Sequence, residues 1–460
     1  MIDDRWHPDG GRMIRFRDDE AGAAGRAPTS GHRNAYQESR RYGRGLLRPS
    51  ALRFLAMLTL AACAGAADDA AGGPATGNTA PLAPTVRDSA GVAIYEHPAD
   101  AFDRAPRFEM SKKPVTEIKG SDVEADLSRV WQPMVLADGR VAMFADGSLL
   151  VFGPAGDLVE RIGRTGEGPG EFQYGALVRG LADTLLVEDR GTRRLSFVVP
   201  GRGVARTKRR PTMSRDEVFG LVGQFTDDGL LYATSGFAQT PDLAKNPVIQ
   251  WRVARLDPGT DSVVHVDSIP GPELRLRGGW PDIVRNAAIP VSIAWEADFL
   301  VSDARHWVLR RIRHDGHLIC TIRVAVARRP TDAVGIRAEL DEQFSQMMAA
   351  YASGRMEGRS PDSATARKRL AEAPRADSLP LIAKALIGPD RVAWIKDGGY
   401  MYAEPTWAWT AVQKDGTILG RLVGTGKDPV VAFGAGSVML KSEDEDGFVT
   451  FRVHALSVAK

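Results

Sequence analysis

Leu149-Leu150-Val151-Phe152-Gly153-Pro154-Ala155-Gly156-Asp157-Leu158-Val159-Glu160-Arg161-Ile162-Gly163 is an apolar run, a glycine-bearing turn and a second alternating run. That order is a β-hairpin, because the turn fixes which residues face each other across the two strands. The pattern recurs in Val308-Leu309-Arg310-Arg311-Ile312-Arg313-His314-Asp315-Gly316-His317-Leu318-Ile319-Cys320 and in Thr410-Ala411-Val412-Gln413-Lys414-Asp415-Gly416-Thr417-Ile418-Leu419-Gly420. Weaker copies surround Pro258-Gly259 and Gly201-Arg202-Gly203. An internal repeat outranks any single motif as a guide to fold.

Upstream of the hairpins lie further strand pairs. Their second strands are recognisable at 140–144, 184–189, 230–233, 298–303, 391–397 and 437–441. Six units of about four strands, repeated radially, bury each sheet against its neighbours and shield most strand edges. The expected fold is all-β, a six-bladed β-propeller, with seven blades as the rival count. The last unit ends at 448–456 one strand short, so the N-terminal part of the domain is expected to supply that strand, from 91–95 or 115–118. Between the fourth and fifth blades the repeat breaks. Ile336, Leu340, Phe344, Met347, Met348 and Tyr351 fall at helical spacing, and 362–373 is a second, charged helical stretch. Residues 331–378 therefore read as a helical insertion, either covering an apolar patch or acting as a lid or docking element.

The 460 residues carry 60 Lys and Arg against 58 Asp and Glu, with 2 Cys, which places the chain among ordinary globular proteins and outside disulfide scaffolds. The charge is uneven. The first 62 residues hold 11 Arg and no Lys against 7 acidic residues, and the remaining 398 hold 49 basic and 51 acidic ones. A near-neutral main body gives no electrostatic reason to expect nucleic acid as a partner. Residues 51–62 form an apolar run preceded by Arg44, Arg48 and Arg53, of signal-peptide length and too short to span a bilayer. The run ends in Leu60-Ala61-Ala62-Cys63, which resembles the bacterial lipobox, and the resemblance implies that the Cys63 thiol is lipidated. About 45 polar residues precede the run, more than a signal of this kind carries, so translation is expected to start near Leu46 or Leu47 unless the extension is real. Ala64 is not Asp, which in Gram-negative lipoproteins implies sorting to the outer membrane. The expected organisation is an extension and signal over 1–62, a flexible linker over 63–85 and the propeller over 86–460. Cys320 has no disulfide partner in that body.

Gly163-Arg164-Thr165-Gly166-Glu167-Gly168-Pro169-Gly170-Glu171-Phe172 resembles the inter-blade crossover of NHL-type repeats and of bacterial six-bladed propeller lipoproteins. The similarity extends to 86–92 and implies a fold without a reaction. The glycine loop is no phosphate cradle, since Glu167 and Glu171 repel phosphate and Pro169 lacks an amide donor. His314-Asp315-Gly316-His317 reads as a turn rather than a metal site.

In a propeller the crossovers and the turns after the second strands gather at one mouth of the channel. Asp189, Arg190, Asp303, Arg305, His306 and Asp397 are therefore the candidate ligand-binding residues, with Arg285 and Glu217 as outlying members. Such carboxylates either close turns on backbone N–H groups or ring a Ca or Zn ion in the channel. No Ser-His-Asp arrangement is assignable, and catalytic residues are unknown. The expected function is a cell-envelope scaffold, held to the membrane through a lipid anchor, that binds a protein, peptide or glycan without catalysis. The alternative is a metal-dependent propeller enzyme of the lactonase, hydrolase or lyase kind.

Overall fold

The computed structural model describes residues 5–6, 12–13, 80–130, 132–179, 184–209, 217–221, 231–238, 248–256, 262–277, 280–352, 362–400 and 406–459. Two compact units divide the chain, 1–76 and 77–460. In the first, β1 (Arg5–Trp6) pairs antiparallel with β2 (Arg12–Met13). The apolar run at 51–62 and Cys63 lie outside the described residues.

The second unit begins with β3 (Thr85–Ser89), β4 (Val92–His97), the short helix α1 (Ala101–Arg104), β5 (Arg107–Met110) and β6 (Thr116–Lys119). Six antiparallel meanders follow in chain order. The first is β7 (Met134–Val135), β8 (Val141–Ala145), β9 (Ser148–Phe152) and β10 (Leu158–Ile162). A small parallel pair, β11 (Arg164–Thr165) and β12 (Glu171–Phe172), frames the glycine loop that leads out of it. Within that loop Gly163 adopts φ +82°, and a Cβ there would lie 2.7 Å from the Gly170 carbonyl oxygen, so only glycine fits.

The second meander is β13 (Gly175–Arg179), β14 (Leu185–Asp189), β15 (Arg194–Val199) and β16 (Gly203–Arg209). In the third, β17 (Glu217–Leu221), β18 (Leu231–Ala238), β19 (Val248–Leu256) and β20 (Val263–Arg277) are extended by β21 (Trp280–Ile283). The fourth is β22 (Val291–Trp295), β23 (Asp298–Ser302), β24 (Val308–Arg313) and β25 (Leu318–Val324). Helices α2 (Ala333–Ala352) and α3 (Ser363–Ala371) come next. The fifth meander is β26 (Ile382–Ile387), β27 (Ala393–Asp397), β28 (Thr406–Val412) and β29 (Ile418–Thr425). The sixth is β30 (Val430–Gly434), β31 (Ser437–Glu443) and β32 (Val449–Val458), and β6 supplies its fourth strand, with Thr116 opposite Val453. The protein is thus mostly β.

Of the two segments expected to complete the last sheet, 115–118 does so as β6. The other, 91–95, becomes β4, which adds in parallel to β25 and carries β3 on its outer side. Between them β5 lies parallel to β29 and antiparallel to β32, so the N-terminal segment ties the fourth, fifth and sixth sheets together.

The three sequence copies fold alike. In each, a glycine at positive φ donates its N–H to the carbonyl three residues back: Gly156 to Gly153 at 2.9 Å, Gly316 to Arg313 at 2.9 Å, Gly416 to Gln413 at 3.0 Å. Each hairpin also carries a register shift beside the turn, the signature of a turn closed by a glycine bulge. Asp315 accepts from the His317 N–H at 3.0 Å within its turn, and the Arg313 guanidinium beside it holds its carboxyl far below the usual range.

The core is distributed between sheets. Ala142 and Leu149 of the first sheet pack with Leu177, Val187 and Val198 of the second. Val253 and Ile269 of the third meet Phe299 and Ile312 of the fourth. Trp295 and Leu309 of the fourth meet Ile382 and Ile395 of the fifth. Trp394 and Trp409 of the fifth meet Phe433 and Val438 of the sixth, with the Trp394 and Phe433 rings stacked at 4.0 Å. Met439 and Phe451 of the sixth return to Val141, Met143 and Leu150 of the first. Apolar burial, the dominant favourable force in folding, therefore joins the last sheet to the first.

Candidate functional site

Strands of a meander alternate in direction. The turn after each second strand therefore lies on the same side as the segment that enters the first strand. Asp189 ends β14, Asp303 follows β23 and Asp397 ends β27, so all three stand on the crossover side of their sheets.

Asp189 is fully buried. Its Oδ1 accepts the N–H groups of Tyr174 at 3.0 Å, Gly191 at 3.0 Å and Thr192 at 3.4 Å, and its Oδ2 accepts the Gln173 N–H at 3.0 Å and the Thr192 hydroxyl at 2.7 Å. Burial pushes the carboxyl up. The Thr192 hydroxyl and the N–H groups of Gln173, Tyr174 and Thr192 outweigh that, and the pKa ends below its ordinary value. Arg190 turns back toward buried Glu188, with 3.7 Å between Nε and Oε2.

Asp303, Arg305 and His306 share one turn. The Asp303 Oδ1 accepts the N–H groups of Arg305 at 3.0 Å and His306 at 3.2 Å, while Oδ2 lies 3.1 Å from the His306 Nδ1. The Arg305 guanidinium donates to the Gly271 carbonyl at 2.8 Å, stitching the turn to the third sheet. Ala304 in the same turn accepts the Leu381 N–H at 2.8 Å, and the Leu381 carbonyl accepts the N–H of Gly398, beside Asp397, at 3.0 Å.

Asp397 behaves differently. Burial raises its carboxyl, and the Arg421 guanidinium only partly offsets this. Its Oδ2 accepts from Arg421 Nη2 at 2.5 Å. That guanidinium also donates to the Thr410 hydroxyl at 3.2 Å and lies 4.2 Å from the Phe102 ring centre.

The expected residues therefore fall into a turn of the second sheet, a turn of the fourth and, in the fifth, half-buried Asp397 paired with buried Arg421. Among the described residues no three His, Cys, Asp or Glu side chains come together as a metal ion would need. The side chain of Glu217 lies outside the described ones, and Arg285 donates to the Gln343 side chain of α2.

Helix α2 lies along this same side. Its buried Glu339 accepts from the Asn286 amide at 2.9 Å, ahead of β22. Glu342 meets Lys427, between β29 and β30, at 3.4 Å. Asp332, just before the helix, donates its N–H to the Tyr400 hydroxyl at 2.7 Å. Polar contacts to two crossover segments and to the turn after β27, rather than a buried apolar face, hold α2 in position. A cavity of about 280 Å³ between α2 and α3 is lined by Arg337, Leu340, Asp341, Arg367, Leu370 and Ala371, and by none of the three carboxylates.

Three residues of this face are not singled out by sequence: Tyr174, Arg194 and Arg421. Arg194 donates to the Glu167 carbonyl at 2.7 Å and the Gly168 carbonyl at 3.0 Å, fixing the glycine loop from below. A charged residue inside an otherwise apolar strand, as Arg421 is in Ile418–Thr425, is the one signal that marks it.

No family model matches the chain, and no curated protein matches it. A member of the duf4221 family from Bacteroides vulgatus is 12% identical, with 76% of this chain and 99% of that one covered at a TM-score of 0.45. Regucalcin, a calcium-binding protein from Agrobacterium tumefaciens, is 10% identical, with 76% and 96% covered at a TM-score of 0.33. Virginiamycin B lyase from Staphylococcus aureus is 9% identical, with 76% and 100% covered at a TM-score of 0.34. Likenesses this loose assign neither a family nor an activity.

Proposed function

We propose that the chain is a lipid-anchored, six-bladed β-propeller of the cell envelope that binds a protein, peptide or glycan on its crossover face and catalyses nothing. The order of six meanders and the packing of the last sheet on the first support the propeller, with α2 and α3 as an insertion between the fourth and fifth blades. Exposed channel-mouth groups such as Arg190 and His306 would meet the ligand.

One observation carries the scaffold reading: Asp189 has both oxygens engaged by five donors of its own turn and loop. An oxygen so engaged has little capacity left for a metal or a substrate. Asp189 builds the face rather than reacting on it.

The test is the metal content of the mature protein, gel-filtered without chelator and analysed by plasma mass spectrometry. A scaffold retains substoichiometric Ca and Zn. Near one equivalent of either, lost on replacing Asp303 or Asp397 by Asn, overturns the scaffold in favour of a metal-dependent lactonase, hydrolase or lyase.

Anchoring rests on Leu60-Ala61-Ala62-Cys63. Cys63→Ala is expected to abolish labelling by a radioactive fatty acid and to release the protein from the outer-membrane fraction. Unchanged membrane retention contradicts the lipid anchor.

A further inference from the structure

The second sheet ends on its crossover side in a row of facing residues. Gly175 is opposite Asp189, Asp189 opposite Arg194, and Arg194 opposite Arg209. Adjacent strands lie about 4.8 Å apart, so the row spans about 15 Å. Just beyond it stand Tyr174, on the segment entering β13, and Arg190 and Arg193, in the turn between β14 and β15. Tyr174, Arg190, Arg193 and Arg209 are all exposed, and Tyr174 keeps 73% of its surface in water.

The exposure of Tyr174 is built in. Its N–H donates to Asp189 at 3.0 Å and its carbonyl accepts the Arg190 N–H at 3.1 Å, so the backbone is held at both polar groups. Behind it the glycine loop is cross-braced. The Gly168 N–H donates to the Glu171 carboxylate at 2.7 Å, and the Gln173 amide donates to the Glu167 carboxylate at 2.8 Å. A large aromatic on a fixed backbone binds with little further loss of conformational freedom, which is the condition for an anchor residue.

The exposed charge around the ring is positive on balance, with Arg190, Arg193 and Arg209 against Glu167, while Glu171 is paired with Arg164 at 2.7 Å. Arg194, which donates to carbonyls, stands opposite Asp189, whose carboxylate takes only uncharged donors, so these two charges offset each other and the outward balance rests on the exposed arginines. Arg190 is 49% exposed with part of its charge offset by Glu188 at 3.7 Å, and Arg193 and Arg209 are exposed. Guanidinium groups favour carboxylates in paired hydrogen bonds.

We propose that this end of the second sheet binds an acidic polysaccharide. The arginines take the uronate carboxylates, the Tyr174 ring stacks on a sugar face, and the exposed Glu167 carboxylate accepts sugar hydroxyls. An acidic peptide satisfies the arginines but brings its own carboxylates against Glu167, whereas a uronate chain brings hydroxyls there as well. The inference rests on the binding reading of the crossover face and names the ligand class for it.

The test is calorimetric titration of the full chain in detergent with galacturonate oligomers, with maltose oligomers and polyglutamate as comparators, at low and physiological salt. Galacturonate oligomers bind and maltose oligomers do not. Tyr174→Ala weakens binding about tenfold at an unchanged melting temperature, as loss of an anchor does. Arg190→Gln combined with Arg193→Asn weakens it further and flattens its salt dependence. Asn suits position 193 because that residue adopts φ +54°.

Failure of galacturonate to bind above maltose, or binding unchanged in Tyr174→Ala, overturns the proposal. Polyglutamate binding as tightly, with the same dependence on Tyr174, overturns it in favour of an acidic peptide. The broader scaffold reading fails separately, through a stoichiometric metal.

Discussion

Asp189→Ala is expected to destabilise the protein by about 3 kcal/mol, because the donors of five partly buried hydrogen bonds lose their acceptor at about 0.5 to 1.5 kcal/mol each and the loop relaxes to recover part of that. The donors are named: the N–H groups of Gln173, Tyr174, Gly191 and Thr192 and the Thr192 hydroxyl. Denaturant unfolding measures the loss. Hydrogen exchange locates it, since those four amides are slow in the parent and become fast in the variant.

The pH dependence has a definite sign. The folded-state carboxyl of Asp189 lies below its ordinary value despite burial, through the bonds from Thr192, Gln173 and Tyr174. A depressed carboxyl contributes stability that is complete above its unfolded value and is lost as pH falls through the folded one. The parent is therefore flat through neutral pH at this locus and weakens in acid. Asp189→Asn removes that acid slope, and a slope unchanged by the substitution contradicts the assignment.

Arg421→Ala is the second large effect, and it titrates the other way. Its side chain is 8% exposed, and its removal takes from Asp397 its hydrogen-bonded cation and leaves the weaker attraction of Arg329 and Arg107. Breaking a buried pair costs about 3 to 5 kcal/mol, and the part of Asp397 that reaches water lowers this to about 2 to 3 kcal/mol. Burial already raises the Asp397 carboxyl even with Arg421 present. A raised carboxyl lowers stability as pH rises through the folded-state value, and losing Arg421 raises it further. The deficit of Arg421→Ala is thus greatest at neutral pH and narrows on acidification. Arg421→Met with Asp397→Leu recovers most of the loss, since an apolar pair of similar volume replaces a buried ion pair at little cost. Urea unfolding at pH 7 and pH 4.5 measures both effects.

These two carboxylates show what was legible beforehand. The hairpins at Gly156, Gly316 and Gly416 announce themselves because a turn glycine followed by alternating apolar residues has few other uses. The second strands, such as β23 with Phe299, Leu300 and Val301 buried in a row, are continuous apolar runs for the same reason: both of their faces are covered. The strand completing the sixth sheet stayed ambiguous because β4 and β6 carry similar alternation, and only their partners, Cys320 and Val453, separate them. Asp189 and Asp303 stood out as turn residues. Tyr174, Arg194 and Arg421 did not, since each takes its role from a residue that the fold brings near: Asp189, the Glu167 carbonyl of the glycine loop and Asp397. Sequence spacing does not encode such pairings; strand register does.

The proposed propeller and its proposed binding face depend on the sheets closing into one ring through β6 and β32, and a cross-strand disulfide tests that closure directly. Glu117 and Arg452 face each other across this junction, joined by a 2.8 Å hydrogen bond, and both are partly exposed. Glu117→Cys with Arg452→Cys is expected to oxidise to one intrachain bond. Cys320 will not compete, because burial pushes its thiol up to about 11. The bond closes a span of 335 residues and raises unfolding stability by about 4 kcal/mol. A pair that stays reduced, or that links one chain to another, contradicts the closed ring and the face built on it.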